Sequence, residues 1–411
     1  MNHSISAAAP LSPDAWTVLD RAVRRASQAA AAFRHSGAAE RCRLLELIAF
    51  QLDARQASLA ATAGIAAAKP GASTGEHTTT TAYHSAQQQL TAFCAALRGS
   101  PKLGAATETA PAGQHMERVP VGPVAVLCAE NGSLHSADVI AALAAGCPVL
   151  VCCTSIQTGY CALQAGAVAA ALRAAGLPEG VYTLLENTPG TADALIAHPA
   201  IKAAAFSGSR AQALQLTRRN LDRSEPLTLL LDPLGGNPVF VLPHALNARA
   251  EHLGQQLLKQ YASAAPSVLK PGIVVAIRGD GYIDLRETII DGLMALRAPA
   301  QACDELELDA ASLLATPELA GAAAAAGPAG MLVPCDDAAE MLAVAALLDW
   351  QHVAGLHMDQ GDSALAARLM PQLERMARHV GVNSFAPTPQ YNAATAARAL
   401  GRFLRPASKP G

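Results

Sequence analysis

The 411-residue chain is long enough for two or more domains, and 51% hydrophobic against 15% charged residues exclude a disordered or solvated tail. A formal net charge of -3 gives no electrostatic case for nucleic acid or for an acidic lipid surface. Nine cysteines, an odd number without framework spacing, fit a reducing compartment. No basic region followed by an apolar core opens the chain, so no signal peptide is read and a cytoplasmic protein is expected. The longest apolar stretch, Val139 to Cys153, is broken by Gly146 and Pro148 and is too short to span a bilayer.

Residues 1–111 read as mostly helical, with Ser12 or Asp14 placed to cap a helix through the Ala-rich run to Phe33. A second helix from Ala38 carries Leu44, Leu45, Ile48 and Leu52 on one stripe, Lys69 to Gly75 is a loop by composition, and Gln87 to Leu97 is helical again. Arg118 to Val126 reads as a turn feeding a buried strand, and Ala141 to Val151 as a helix end, a Gly146 stop and a second strand. A helix from Leu163 to Ala175 precedes Gly176-Leu177-Pro178-Glu179-Gly180-Val181 and the run Thr183-Leu184-Leu185. His198-Pro199-Ala200-Ile201-Lys202 then leads into Ala203 to Ser209. Strands alternating with helices predict a parallel, Rossmann-like sheet with ligands at the strand C-terminal ends, although no Gly-x-Gly-x-x-Gly is present.

Leu227 to Ile277 is the most informative stretch. An apolar run ends at Asp232, a Leu-Gly-Gly turn leads to Asn237-Pro238-Val239-Phe240-Val241-Leu242, and a helix-like segment carries Leu246, Leu253, Leu257, Leu258 and Tyr261. Lys270-Pro271-Gly272 then opens the β-branched run Ile273 to Ile277. Beyond it, Ile289 to Leu296 suggests one helix, Met331 to Asp337 a strand and an acidic helix start, and Arg368 to Val380 a helix.

The order Pro-x-Gly-Pro-Val, Ala-Ala-Gly-Cys-Pro-Val, Gly-Leu-Pro-x-Gly-Val, Phe-Ser-Gly-Ser, Leu-Gly-Gly-Asn-Pro-Val-Phe-Val and Lys-Pro-Gly-Ile-Val-Val resembles the aldehyde dehydrogenase superfamily. Asn-Pro-Val-Phe-Val-Leu-Pro and the terminal Arg402-Phe403-Leu404-Arg405-Pro406 look closest to its 2,5-dioxovalerate (α-ketoglutarate semialdehyde) dehydrogenase branch. The resemblance implies an α/β fold with a Rossmann-like parallel-sheet cofactor-type domain over residues 1–111 and 121–231. It further implies a shortened, smaller α/β catalytic-type domain over 232–382, and oligomerisation segments at 112–120 and 400–408.

The same resemblance shows what the chain lacks. Aldehyde oxidation in this family needs a thiolate nucleophile, oxyanion donors, a carboxylate base and NAD or NADP. Val268 occupies the nucleophile position; it has neither a lone pair nor an acidic proton, and the neighbouring Ser267 has no histidine near it in sequence to serve as base. Asn131 matches the oxyanion-holding asparagine, and a turn asparagine at a strand end is the competing reading. The base aligns on Asp232 in one register and on Pro233 in the other, and an Asp before a Pro is also an ordinary turn starter.

Phe206-Ser207-Gly208-Ser209 resembles the turn that approaches the cofactor pyrophosphate, with a generic Gly-Ser turn as the alternative. The adenosine-anchoring lysine falls on Cys152, and the Glu-Glu-x-Phe-Gly-Pro that frames the nicotinamide ribose corresponds to Ala323-Ala324-Ala325-Ala326-Gly327-Pro328. Asn383-Ser384-Phe385 resembles a family loop beside the active site, or is a plain turn. No metal-ligating set is read.

The expectation is a pseudoenzyme with weak or lost NAD(P) binding and a structural or regulatory role, as a homo-oligomer or as the partner of an active homologue. Two alternatives stand beside it: an active NAD(P)-dependent oxidoreductase acting on a semialdehyde such as 2,5-dioxovalerate, and a binding module for a small-molecule ligand.

Overall fold

The computed structural model describes residues 11–67, 75–99, 114–128, 136–153, 158–233, 235–262, 270–295, 306–316, 319, 331–385 and 392–410. In chain order its elements begin with α1 (Pro13–Arg34), α2 (Ala38–Asp53), α3 (Gln56–Ala67), α4 (Gly75–Gly99), β1 (Gln114–Pro120), β2 (Val124–Cys128), α5 (Ala137–Ala145) and β3 (Val149–Cys153). There follow α6 (Thr158–Ala175), β4 (Tyr182–Glu186), α7 (Thr191–Ala197), β5 (Ala203–Gly208), α8 (Arg210–Leu221), β6 (Thr228–Pro233), β7 (Pro238–Val241), α9 (Pro243–Ala262) and β8 (Ile273–Ile277). The chain continues through α10 (Asp280–Ala295), α11 (Ala310–Ala315), β9 (Met331–Cys335), α12 (Ala338–Leu347), β10 (Gln351–His357), α13 (Ser363–Met376), β11 (Ala377–Val382), α14 (Ala393–Gly401) and β12 (Leu404–Pro410). Among the described residues, no helix is long and apolar enough to cross a membrane.

Two compact units result: Met1–Ala63, Ala82–Asp232 and Gln390–Gly411 form the first, Gly64–Thr81 and Pro233–Pro389 the second. The first holds a five-stranded sheet in the order β4-β3-β2-β5-β6, in which β4, β3, β2 and β5 pair in parallel. Its inner strands β2 and β3 are apolar along their whole length because helices cover both faces, and Val149 to Cys153 is buried throughout. On one face Phe33, Leu44, Leu45, Ile48, Leu90 and Phe93 pack with Val124, Val126, Val149 and Val151; on the other, Leu19, Val23 and Ile196 pack with Ala125, Leu127 and Leu150. The chain leaves β2 for β3 on one side and later returns to lay β5 on the other, so the switch point of the sheet lies between β2 and β5.

Local signals account for several boundaries. Ser12 caps α1 by accepting from the Ala15 N–H at 3.3 Å, and α5 stops at Gly146, whose φ of 88° is left-handed. Gly180 is required by close approach: a Cβ there would stand 2.5 Å from the Arg25 carbonyl oxygen and 3.2 Å from the Ala29 Cβ. Gly180→Ala must therefore push α1 off the first unit, and a loss of about 1–3 kcal/mol is expected from urea denaturation. An unchanged midpoint would show that α1 yields without strain.

The strands β1 and β12 pair antiparallel over seven residues, from Gln114 opposite Pro410 to Pro120 opposite Leu404. The two segments singled out for subunit contact thus lie side by side in one ribbon. Arg118 to Pro120, read as part of a turn, belongs to this ribbon, and the turn is confined to Val121–Pro123.

The second unit holds a parallel sheet in the order β11-β10-β7-β8-β9, with its switch point between β7 and β10. Asp362 fixes the turns at its upper edge: its carboxylate accepts from the backbone N–H groups of His244, Ala245 and Asp359 at 2.9–3.0 Å. The helix expected over Arg368 to Val380 is corrected here, since α13 ends at Met376 and Ala377–Val382 is an edge strand paired with β10. Leu369, Leu373 and Met376 complete the buried helical stripe, after which pairing with β10 overrides helical propensity. The inner strand β10 has no counterpart in the sequence reading. Its Gln351, His352 and His357 disguise a segment buried at every position.

Candidate functional site

The turn Phe206-Ser207-Gly208-Ser209 stands at the switch point of the first sheet. Phe206 and Ser207 lie opposite Leu127 and Cys128 of β2, Gly208 ends β5, and Ser209 is the N-cap of α8, its Oγ accepting from the Gln212 N–H at 3.2 Å. Small residues at the C-terminal end of a central strand, opening a 12-residue helix, put backbone amides and the positive end of a helix dipole toward that crevice. Such a turn can hold an anion of pyrophosphate type.

The adenosine station does not fit in the same way. Cys152 is fully buried within β3, between Leu127 and Leu185, and belongs to the apolar layer under α1 with Ala204 and Phe206. A buried thiol there packs as a small apolar side chain. The turn at Phe206 to Ser209 thus has the backbone chemistry to hold a pyrophosphate, while Cys152 is an interior strand residue.

Asp232 is the penultimate residue of β6 and is half-buried. Its charge acts on Asp138, in the first turn of α5, which is 8% exposed and whose carboxylate receives Arg402 Nη1 at 3.3 Å. Burial pushes the Asp138 carboxyl up to about 6, Arg402 pulls it down and Asp232 pushes it further up. The structure therefore brings Asp232 into an electrostatic cluster with Asp138 and Arg402. Nothing in the sequence announced it, because Asp138 and Arg402 are 264 residues apart.

The thiols among the described residues lie in the interior of the fold. Cys42, Cys94, Cys147, Cys152, Cys153, Cys161 and Cys335 are all buried, and none of them is in a disulfide. Burial pushes the Cys147 thiol up to about 11 and the Cys335 thiol up to about 12, which disfavours the thiolate. Cys153 is the exception: its hydrogen bond with Cys161 lowers it, against the opposing effect of burial. Asn131, Ser267, Val268 and Ala323–Pro328 lie outside the described residues, so their assignments rest on the sequence.

In the second unit, Asn237 is 2% exposed with φ 37°, and it joins the starts of three strands. Its N–H donates to Gln351 Oε1 (2.9 Å), its Nδ2 to the Lys270 carbonyl (3.0 Å), and its Oδ1 accepts from the Val353 N–H (3.2 Å). Asn383, with φ 51°, accepts at Oδ1 from the Met358 N–H and from Arg249 Nη2, while Phe385 packs on the His357 ring at 4.5 Å. These motif asparagines hold backbone in place here.

A family model described as the aldehyde dehydrogenase family matches residues 13–256, more than half of the sequence. The chain belongs to the aldehyde dehydrogenase family. Over 351 residues it is 30% identical to alpha-ketoglutaric semialdehyde dehydrogenase 2 of Azospirillum brasilense, covering 71% of this chain and 66% of that protein. It therefore spans slightly less than two thirds of that relative's length. With alpha-ketoglutaric semialdehyde dehydrogenase of Acinetobacter baylyi it shares 28% identity over 422 residues, 89% of this chain and 78% of that one.

Solved aldehyde dehydrogenases share the fold at low identity. The glyceraldehyde-3-phosphate dehydrogenase GapN of Methanocaldococcus jannaschii, complexed with NADP, superposes with a TM-score of 0.68 at 15% identity, covering 98% of this chain and 95% of that one. The aldehyde dehydrogenase KauB of Pseudomonas aeruginosa gives 0.69 at 17%, covering 96% and 88%. The α/β architecture with parallel sheets is thus the aldehyde dehydrogenase fold, close in sequence to semialdehyde dehydrogenases.

Proposed function

We propose that this aldehyde dehydrogenase-family chain does not turn over aldehydes, keeps at most weak NAD(P) binding, and serves a structural or regulatory role. The observation that carries the reading is Val268: a hydrocarbon side chain stands where the family donates electrons to the carbonyl carbon. Cys152 at the adenosine anchor and Ala323 to Ala326 at the nicotinamide anchor support it, because neither position supplies a charged or hydroxyl-binding group. Asn131 and Asp232 are then vestiges of the oxyanion donor and of the base, and Phe206 to Ser209 the remaining pyrophosphate turn.

The pairing of β1 with β12 motivates assembly, either with itself or with an active homologue, through the free edges of that ribbon. A cytoplasmic setting rests on the buried cysteines, none in a disulfide, among the described residues. The 28–30% identity to semialdehyde dehydrogenases favours a second reading, an NAD(P)-dependent oxidation of a short semialdehyde with another nucleophile.

Purified protein incubated with NAD or NADP and a panel of short aldehydes, α-ketoglutaric semialdehyde included, is expected to produce no reduced nicotinamide above the protein-free rate. Turnover that survives Val268→Ala and disappears in Ser267→Ala establishes the second reading in its place. A thermal-shift series with NAD and NADP reports the residual binding directly, as stabilisation without turnover.

A further inference from the structure

The helices α2 and α4 run antiparallel along an apolar seam. Gln87 Nε2 donates to Asp53 Oδ1 at 2.8 Å and to the Ala49 carbonyl at 3.1 Å, and toward the other end Arg98 pairs with Glu46. Between these contacts the seam is built from Leu45, Ile48, Leu90, Phe93 and Leu97, all buried. One polar cluster interrupts it. Cys42 and Glu46 are four residues apart on one face of α2, and Cys94 meets them from α4. The Cys42 thiol stands 3.6 Å from Glu46 Oε1, the Cys94 thiol donates to the Cys42 carbonyl at 3.5 Å, and the three potential ligand atoms lie within 4.8 Å of one another.

We propose that Cys42, Glu46 and Cys94 form a binding site for a zinc-class divalent cation, with water in the fourth position. A tetrahedral ion with metal–sulfur bonds of about 2.3 Å and metal–oxygen bonds of about 2.1 Å needs sulfur–oxygen edges of about 3.6 Å and a sulfur–sulfur edge of about 3.8 Å. The Cys42–Glu46 separation of 3.6 Å already has that length. The longer separations, up to 4.8 Å, close by rotation of side chains. A disulfide would instead require the sulfurs to approach to about 2.05 Å and would leave the carboxylate unused.

Cys42 and Cys94 are 4% and 5% exposed, while the Glu46 side chain is 48% exposed, so the cluster opens to solvent on the carboxylate side, where the water would enter. Two thiolates and one carboxylate around a divalent ion carry a net single negative charge, which the Arg98 guanidinium offsets. The carboxylate has a second oxygen, so Glu46 can bind the ion and keep Arg98. Without the ion, burial and the neighbouring Cys42 and Glu46 hold the Cys94 thiol well above the ordinary thiol range. On binding, two S–H bonds break, two metal–sulfur bonds form, and two protons pass to solvent, so affinity rises with pH.

The full-length reduced protein, loaded with zinc and desalted, is expected to retain about one zinc per chain by elemental analysis. Cobalt in place of zinc is expected to give a thiolate-to-metal charge-transfer band. Cys42→Ser and Cys94→Ser should each abolish both signals, and Glu46→Gln should weaken retention at least about tenfold. Chelation should lower the melting temperature of the loaded wild-type protein by at least about 2–4 °C and leave that of the double serine variant unchanged. The chelation shift and the cobalt band are read on the wild-type chain, so they decide the matter even if a variant fails to fold. Zinc retention equal to that of the double serine variant, a cobalt spectrum without the band, or a Cys42–Cys94 disulfide in protein isolated without reductant would each overturn the proposal.

Discussion

Asp138→Asn is expected to stabilise the protein by about 2–3 kcal/mol near pH 7.5 and to abolish one component of its pH dependence. Asp138 is 8% exposed, and burial, with the Asp232 charge added, raises its carboxyl to about 6 against the partial relief from Arg402. An unfolded aspartate titrates near 3.9, so between about pH 4 and pH 6 the native chain binds more protons than the unfolded one. Stability contributed by this group is therefore full at the acid end, declines as pH rises through 6, and is absent above it.

Asparagine removes the charge and keeps an oxygen for Arg402, which now donates at 3.3 Å. Buried His357 runs in the opposite sense. Burial and then Arg249 lower it to about 4, so it stays neutral in the folded chain while the unfolded histidine charges, and its stability is lost as pH falls toward 4. The measurement is accordingly the difference between wild-type and variant urea midpoints from about pH 4.5 to pH 7.5, in which the His357 contribution cancels. Adding Asp232→Asn to the wild type should move the Asp138 midpoint to lower pH, because the first-unit cluster loses its second carboxylate. Parallel pH profiles for wild type and Asp138→Asn would remove Asp138 as the source.

What the sequence made legible was local. A β-branched run such as Ile273 to Ile277, a serine before a helical stripe, and Ala-Ala-Gly-Cys-Pro as a helix stop each determine their own geometry. The structure returns them as β8, the Ser12 cap and the left-handed Gly146. The strand-to-helix turn at Phe206 to Ser209 was visible for the same reason, because small residues after an apolar strand have few other uses.

What escaped depends on partners remote in sequence. In β10 the polar letters are explained by Gln351 receiving the Asn237 N–H and by His357 packing on Phe385, and neither partner is predictable from the strand. The break at Met376 is set by the pairing of β11 along β10, which a helical period cannot reveal. The Asp138–Arg402 contact and the Cys42–Glu46–Cys94 cluster join segments 264 and 52 residues apart, so only tertiary packing brings them together.

Asn237→Ala should be among the most damaging single substitutions in the second unit, with a loss of about 3–7 kcal/mol. The estimate has two parts. Truncation removes the bonds to the Val353 N–H and the Lys270 carbonyl, which Oδ1 and Nδ2 now serve at 3.2 and 3.0 Å, and each loss costs about 1–3 kcal/mol. Alanine must also hold φ 37°, where asparagine is tolerated and a Cβ without a polar head costs about 1 kcal/mol more. Asn237→Gly separates the parts, since it relieves the backbone and restores neither hydrogen bond. The glycine variant should therefore recover only about 1 kcal/mol of the loss. Asn237→Asp keeps the acceptor for Val353 but turns a carboxylate oxygen toward the Lys270 carbonyl in a site 2% exposed, so it should fall near alanine and not near wild type. Lys270 is the residue most affected, because its Nζ also donates to the Tyr261 carbonyl at the end of α9, at 2.9 Å. Loosening it weakens the hold of the segment before β8 on α9. Urea midpoints for the three variants test the scheme: a glycine variant as stable as wild type would show that strain, and not the two side-chain hydrogen bonds, is what Asn237 resolves.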